Sequence, residues 1–108
     1  DQYVITNGFY LFPNYPNPFN PTTTISFDLV DTQHSSTPGL HLIAINNHTV
    51  SLRVLDITGR LVETLIDRKL FSGIHEIQWN AFNHPSGIYF IQLRLGEFTQ
   101  TQKAILVK

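Results

Sequence analysis

The chain contains no cysteine, and that absence removes three kinds of protein at once. A disulfide scaffold, a thiol enzyme and a cysteine-ligated zinc site are all excluded. Alanine is scarce as well, with 3 residues against a combined 28 of Val, Ile and Thr. A helical chain would draw on Ala, Leu, Glu and Lys, whereas β-branched side chains fit a pleated surface. Charge is thin, at 14% of residues with a formal net charge of −1. No basic footprint is available for a phosphate backbone, so nucleic acid is not an expected partner. No apolar run reaches the roughly 18–20 residues of a membrane-spanning helix, and no transmembrane segment is expected.

What is present points to one all-β domain. A chain of 108 residues has about the commonest domain size and can bury about two-thirds of its unfolded surface. Period-two alternation recurs along it, with no 3.6-residue period long enough for a helix. Residues 8–12 form a short aromatic strand that runs into Pro13-Asn14-Tyr15-Pro16-Asn17-Pro18-Phe19-Asn20-Pro21. Four prolines deny a ladder its donors there, which predicts an ordered loop. Strands are then expected over 22–29, 50–56, 61–66, 75–79, 87–95 and 98–107. Asp56-Ile57-Thr58-Gly59-Arg60 reads as a tight turn, and Leu95-Gly96-Glu97-Phe98 as a hairpin. About seven short strands with turns every 8–12 residues or so predict an immunoglobulin-like β-sandwich.

Two stretches fall outside that rhythm. Residues 1–8 form an N-terminal extension containing Tyr3-Val4-Ile5-Thr6, which is β-prone. Residues 31–49 form an insertion in which Leu40, Leu42, Ile43 and Ile45 make a strand apolar on both faces, followed by a turn at Asn46-Asn47. An inserted hairpin is expected, and a strand apolar on both faces needs cover on both sides. The opening at Asp1, with no initiator Met or signal peptide, predicts either removal of an upstream segment or one module of a longer protein.

The segment Leu11 to Thr23, with its proline loop, resembles the opening of the type A C-terminal sorting domains of the bacterial type IX (Por) secretion system. The similarity continues through Ile25-Ser26-Phe27-Asp28-Leu29 and Val54 to Val62. It resumes at Gly73 to Asn80 and at Ser86 to Phe90, and closes on Lys103-Ala104-Ile105-Leu106-Val107-Lys108. The resemblance implies an immunoglobulin-like module, at the end of secreted cargo, that is read by outer-membrane secretion machinery. It implies a secreted or cell-surface location on a bacterium, and no cofactor. Carried over by position, the recognition residues are Pro16, Asn17, Pro18, Gly87, Tyr89, Lys103 and Lys108. The sandwich is expected to display an edge and a basic C-terminal strand to the translocon.

The same residues carry other readings. The extension and the insertion suit strand exchange between subunits, so a surface filament is the alternative, with Tyr3, Val4, Ile5, Thr6, Leu40, Leu42, Ile43 and Ile45 as exchange residues. The filament would be a homo-oligomer. A carbohydrate-binding module is a third reading, with Tyr10, Tyr15 or Trp79 as sugar platforms, although the parity of Trp79 with Ile77 assigns it to the core. His34, His41, His48, His75 and His84 are scattered without ligand spacing, and no metal site is expected. Asp56 with Asn46 and Asn47 is the best oxygen grouping, and turn hydrogen bonds account for it. No serine sits on a glycine-flanked elbow and no paired carboxylates are evident, so no enzyme is expected. Asn47-His48-Thr49 fits a glycosylation acceptor. Lys103 and Lys108 also suit an edge strand protected against aggregation.

Overall fold

A computed structural model describes residues 8–30 and 48–108. These form seven strands: β1 (Phe9–Leu11), β2 (Thr22–Leu29), β3 (His48–Leu55), β4 (Leu61–Leu70), β5 (Gly73–Asn80), β6 (Gly87–Leu95) and β7 (Phe98–Leu106). Every strand expected outside the N-terminal extension and the insertion is present. β2 shows why: Thr23, Ile25, Phe27 and Leu29 are buried while their neighbours stay half-buried, the period-two signature of a strand with one core face. β4 runs to Leu70 instead of stopping at Ile66. Asp67, Arg68 and Lys69 break the apolar alternation, but among the described residues β4 pairs with β3 alone, and an edge strand tolerates charge. Register shifts at Leu52/Arg53 and Val54/Leu55 further blur its inside-outside pattern.

The strands divide into a three-stranded sheet, β1-β2-β5, and a four-stranded sheet, β4-β3-β6-β7, with every pairing antiparallel. This is the immunoglobulin-like β-sandwich expected from the sequence. The inner faces share one core that includes Phe27, Leu52, Trp79 and Ile91, all at most 1% exposed. A buried side chain of this size stabilises by about 1.5–3 kcal/mol, so the facing sheets hold one another chiefly through apolar burial. A further immunoglobulin feature appears near the start of β6, where the Tyr89 hydroxyl donates to the carbonyl of Pro85 at 2.6 Å.

Strand directions sort the connections into two groups. The proline loop, the 56–60 turn, the 81–86 connection and the C-terminus lie at one end of the sandwich. The 71–72 link and the 96–97 hairpin lie at the other, together with the points where the described chain breaks off at Gly8, Val30 and His48. The extension up to Asn7 and the insertion from Asp31 to Asn47 are outside the described residues. So are all eight exchange residues, together with His34, His41, Asn46 and Asn47. The last two residues assigned to the insertion, His48 and Thr49, belong to β3, where they pair with Leu70 and Lys69.

Candidate functional site

Four prolines prevent residues 13–21 from forming a regular strand, yet the loop is fastened to β7. The Asn17 side chain makes this possible. A primary amide offers a donor and an acceptor in one plane, as a peptide unit does. Its Nδ2 donates to the Lys103 carbonyl at 2.9 Å, and its Oδ1 accepts from the Ile105 N–H at 2.9 Å. Two residues on, the backbone takes over. The Phe19 N–H donates to Ile105 and the Phe19 carbonyl accepts from Val107, giving a parallel bridge to Leu106. The edge of β7 from Lys103 to Val107 is therefore closed by the loop. A proline-rich segment lacks donors of its own, so it covers an edge through the residues between its prolines.

The loop is held from beneath by two buried polar residues. Asn14 Nδ2 donates to Thr23 Oγ1 at 3.0 Å, and the Thr23 hydroxyl donates to the Pro16 carbonyl at 2.8 Å. A buried polar group left unpaired costs about 1–3 kcal/mol, so this arrangement fixes one loop conformation. The peptide bonds preceding Pro16, Pro18 and Pro21 are cis. Phe19, 2% exposed, drives its ring into the core 5.5 Å from that of Trp79.

The remaining candidate residues gather at the same end. Gly87 has φ +155°, a backbone conformation that side chains rarely adopt, and it pairs with Leu106 where β6 begins. Tyr89 is buried beside Trp79, ring to ring at 5.5 Å, and pairs with Ala104. Burial, with the nearby Asp56 charge, raises the Tyr89 pKa above its usual value of 10.0. Lys103 is exposed, opposite Phe90 in the register. Lys108 is pinned: its N–H donates to Ser86 Oγ, and its Nζ donates to the carbonyls of Phe82 and His84. That ammonium also lies 5.4 Å from the centre of the exposed Phe82 ring.

Beneath this surface, Glu63 accepts from Trp79 Nε1 at 3.0 Å and lies 3.4 Å from His84 Nε2. Trp79 is 1% exposed, which makes it a core residue and removes it as a sugar platform; Tyr15 is exposed, and Tyr10 packs edge-on against Phe12. His48 meets Ser72 Oγ and His75 meets the Phe71 carbonyl, so the described histidines are separately occupied. Among the described residues no group of three or more His, Asp or Glu is placed to hold a metal ion, and no pocket is present. The 56–60 turn is closed by Asp56 Oδ1, which accepts from the Thr58 hydroxyl, Thr58 N–H and Arg60 N–H. Those bonds, led by the Thr58 hydroxyl, hold the carboxyl below its usual pKa. Gly59, at φ +88°, completes the turn.

All seven sequence-predicted recognition residues therefore belong to one end of the sandwich. Asn14, Thr23, Glu63, Gln100 and Gln102 had not been singled out. Gln100 Oε1 accepts from Leu11 N–H while its Nε2 donates to the Phe9 carbonyl, and Gln102 Nε2 donates to the Leu11 carbonyl. These bonds tie β7 to β1 across the two sheets. A signal was available, because Gln100 and Gln102 share the parity of the buried Ala104 and Leu106.

The family model for the secretion system C-terminal sorting domain matches residues 14–108. No curated protein matches the chain. Among solved structures, the chain is similar to PorZ of Porphyromonas gingivalis, described as an essential bacterial surface component of the type-IX secretion system. That likeness has a TM-score of 0.53 at 20% identity and covers 94% of this chain, which spans 12% of the PorZ chain. At that identity it shows a shared fold.

Proposed function

The chain belongs to the family of secretion system C-terminal sorting domains, and from that premise we propose that it is a non-catalytic address tag, read as a folded unit by outer-membrane secretion machinery. Domains of this family mark proteins for the extracellular space or the cell surface. The observation that carries the proposal is the match over residues 14–108, which includes the proline loop and the terminal lysine segment.

The geometry suggests how the tag is read. Pro16, Asn17 and Pro18 lie along the edge of β7, Lys103 stands on that strand's outer face, and Lys108 is clasped to the 81–86 connection. Gly87 and Tyr89 build the turn and the core wall behind them. Recognition of this end is recognition of a folded surface, because the loop and the C-terminal strand are fastened to one another only in the native sandwich.

The test is a reporter enzyme with an export signal, fused ahead of residues 1–108 and expressed in a bacterium with a type IX system. Reporter activity is expected at the cell surface or in the medium with the domain, and in the periplasm without it. Equal distribution of the two fusions would overturn the proposal. The surface-filament and carbohydrate-binding readings gain no support from the described residues.

A further inference from the structure

Charge is divided between the two sheets. Every lysine and arginine of the chain lies on β3, β4, β6 or β7, in the turn joining β3 to β4, or just after β7. The outer face of the three-stranded sheet carries Asp28 and Glu76 and no cation. The outer face of the four-stranded sheet carries Arg53, Lys69, Arg94 and Lys103 against one acid, Asp67. Among the described residues none of those four cations forms an ion pair.

That basic face also has an apolar strip. Alternation with the buried Val54, Tyr89, Ile91, Ala104 and Leu106 turns Leu55, Ile88, Phe90 and Ile105 outward. Register sets Leu61 beside Leu55, Leu55 beside Phe90, and Ile88 beside Ile105. Four strands at a spacing of about 4.8 Å make a strip about 15 Å wide. Leu61 is 53% exposed, and Ile57 on the adjoining turn is 67% exposed. Farther along the strands the face becomes polar, with Ser51, Gln92, Thr99 and Thr101. The apolar strip thus lies at the end that holds the proline loop and the C-terminus.

We propose that this strip is the docking surface for a protein of the secretion machinery, one with an apolar contact surface rimmed by carboxylates. The proposal rests on the sorting function above and names the face that is read. An apolar centre with aromatic and aliphatic side chains and a charged rim is the anatomy of a specific protein interface. The sparse cations favour a protein partner over a lipid surface, and Arg53 is placed to meet a carboxylate. Its Nη2 donates to Gln92 Oε1 at 2.8 Å, which orients the guanidinium at the border of the strip. A planar guanidinium fork matches a carboxylate bidentately, and Arg53 and Lys103 are the strand cations that adjoin the strip, fewer than the roughly four to eight that a polybasic lipid contact gathers. The rim cations set orientation and encounter rate, and the apolar strip supplies affinity.

The experiment uses the full-chain reporter fusion. Leu61→Glu and Arg53→Glu are placed on the docking face, and Gln78→Glu on the opposite sheet serves as the control. Purified domains are checked by thermal melting, by light scattering and by sedimentation with vesicles of anionic phospholipid. A drop of at least tenfold in surface reporter for both docking-face variants, with melting temperatures preserved and the control exported normally, is the expected result. Normal export of both overturns the docking face while leaving the sorting function standing, and failure of the unsubstituted fusion overturns both. Vesicle binding lost in the variants would replace the protein with a lipid surface. A dimer lost in the variants would replace it with a second copy.

Discussion

The four-stranded sheet has two edges, and they are protected by opposite means. At β7 the edge is covered: Asn17 and Phe19 bond its backbone from Lys103 to Val107, and Gln100 and Gln102 bind it to β1. At β4 no strand lies beyond among the described residues, and the edge carries Asp67, Arg68 and Lys69 beside two register shifts. Covering an edge requires a dedicated partner segment, whereas charge and bulges repel any partner. The sandwich thus invests specific contacts where the C-terminal strand ends and leaves generic protection on the other side. Substitutions at β7 should therefore lower stability, and those at β4 should alter association.

The largest expected effect is that of Phe19→Ala. It removes a buried ring from its contact with Trp79 at the point where the loop meets β7, at a cost of about 3–5 kcal/mol. Chemical denaturation measures it, and a loss below about 1 kcal/mol would mean that the loop merely rests on the sheet. Next is Asn17→Ala, which strips Lys103 and Ile105 of their amide partner. Both groups are near solvent, so about 1 kcal/mol is expected, or about 4–8 °C in Tm. Faster amide exchange at Ile105, with β4 unchanged, would tie the loss to this edge.

This contrast was only half legible in the sequence. Alternation placed the strands because Ile25, Phe27 and Leu29, or Val50, Leu52 and Val54, must all face one way to reach a core. It also identified Trp79 as buried. The β7 closure was hidden, because Asn17 and Ile105 are 88 residues apart and nothing local shows that an amide between two prolines will replace a strand. Gln100 and Gln102 were missed for a related reason: a polar residue at core parity looks like a face change until its partner, the β1 backbone, is known. The candidate site was reached through family resemblance at particular residues. Their convergence at one end follows from strand order, which residue pattern alone does not encode.

Tyr89→Phe sharpens the contrast from the inside of the β7 end. It deletes the bond to Pro85 and should cost about 1 kcal/mol at neutral pH. Because the native pKa of Tyr89 is raised, its contribution is full below the unfolded value of about 10 and is lost as pH climbs through the native value. The stability gap between wild type and Tyr89→Phe should therefore narrow in alkaline titration, and a constant gap would argue against a buried phenol. At the other edge, Asp67→Val with Lys69→Val should shift stability by no more than about 0.5 kcal/mol. Light scattering should instead show concentration-dependent association, because the repelling charges are gone. Unfolding without association would mean that β4 is held by those side chains after all.

The smallest effect belongs to the turn joining β3 to the β4 edge. Asp56 is half-buried, its carboxylate accepts three hydrogen bonds, and its pKa lies below the usual 3.8. A depressed native pKa means that the unfolded chain binds the proton more readily. The turn's contribution is therefore complete above the unfolded pKa and disappears as pH falls through the native one. Asp56→Asn keeps an acceptor oxygen but loses the charge and its attraction to Arg60, whose Nε lies 3.6 Å away. Wild type should melt slightly above the variant near pH 7, and the two should converge in acid as pH falls through the native pKa of Asp56. A difference that persists in acid would show that the turn depends on shape alone. The β4 edge would then owe nothing to charge at its first bend, and its electrostatic protection among the described residues would rest on Asp67 to Lys69.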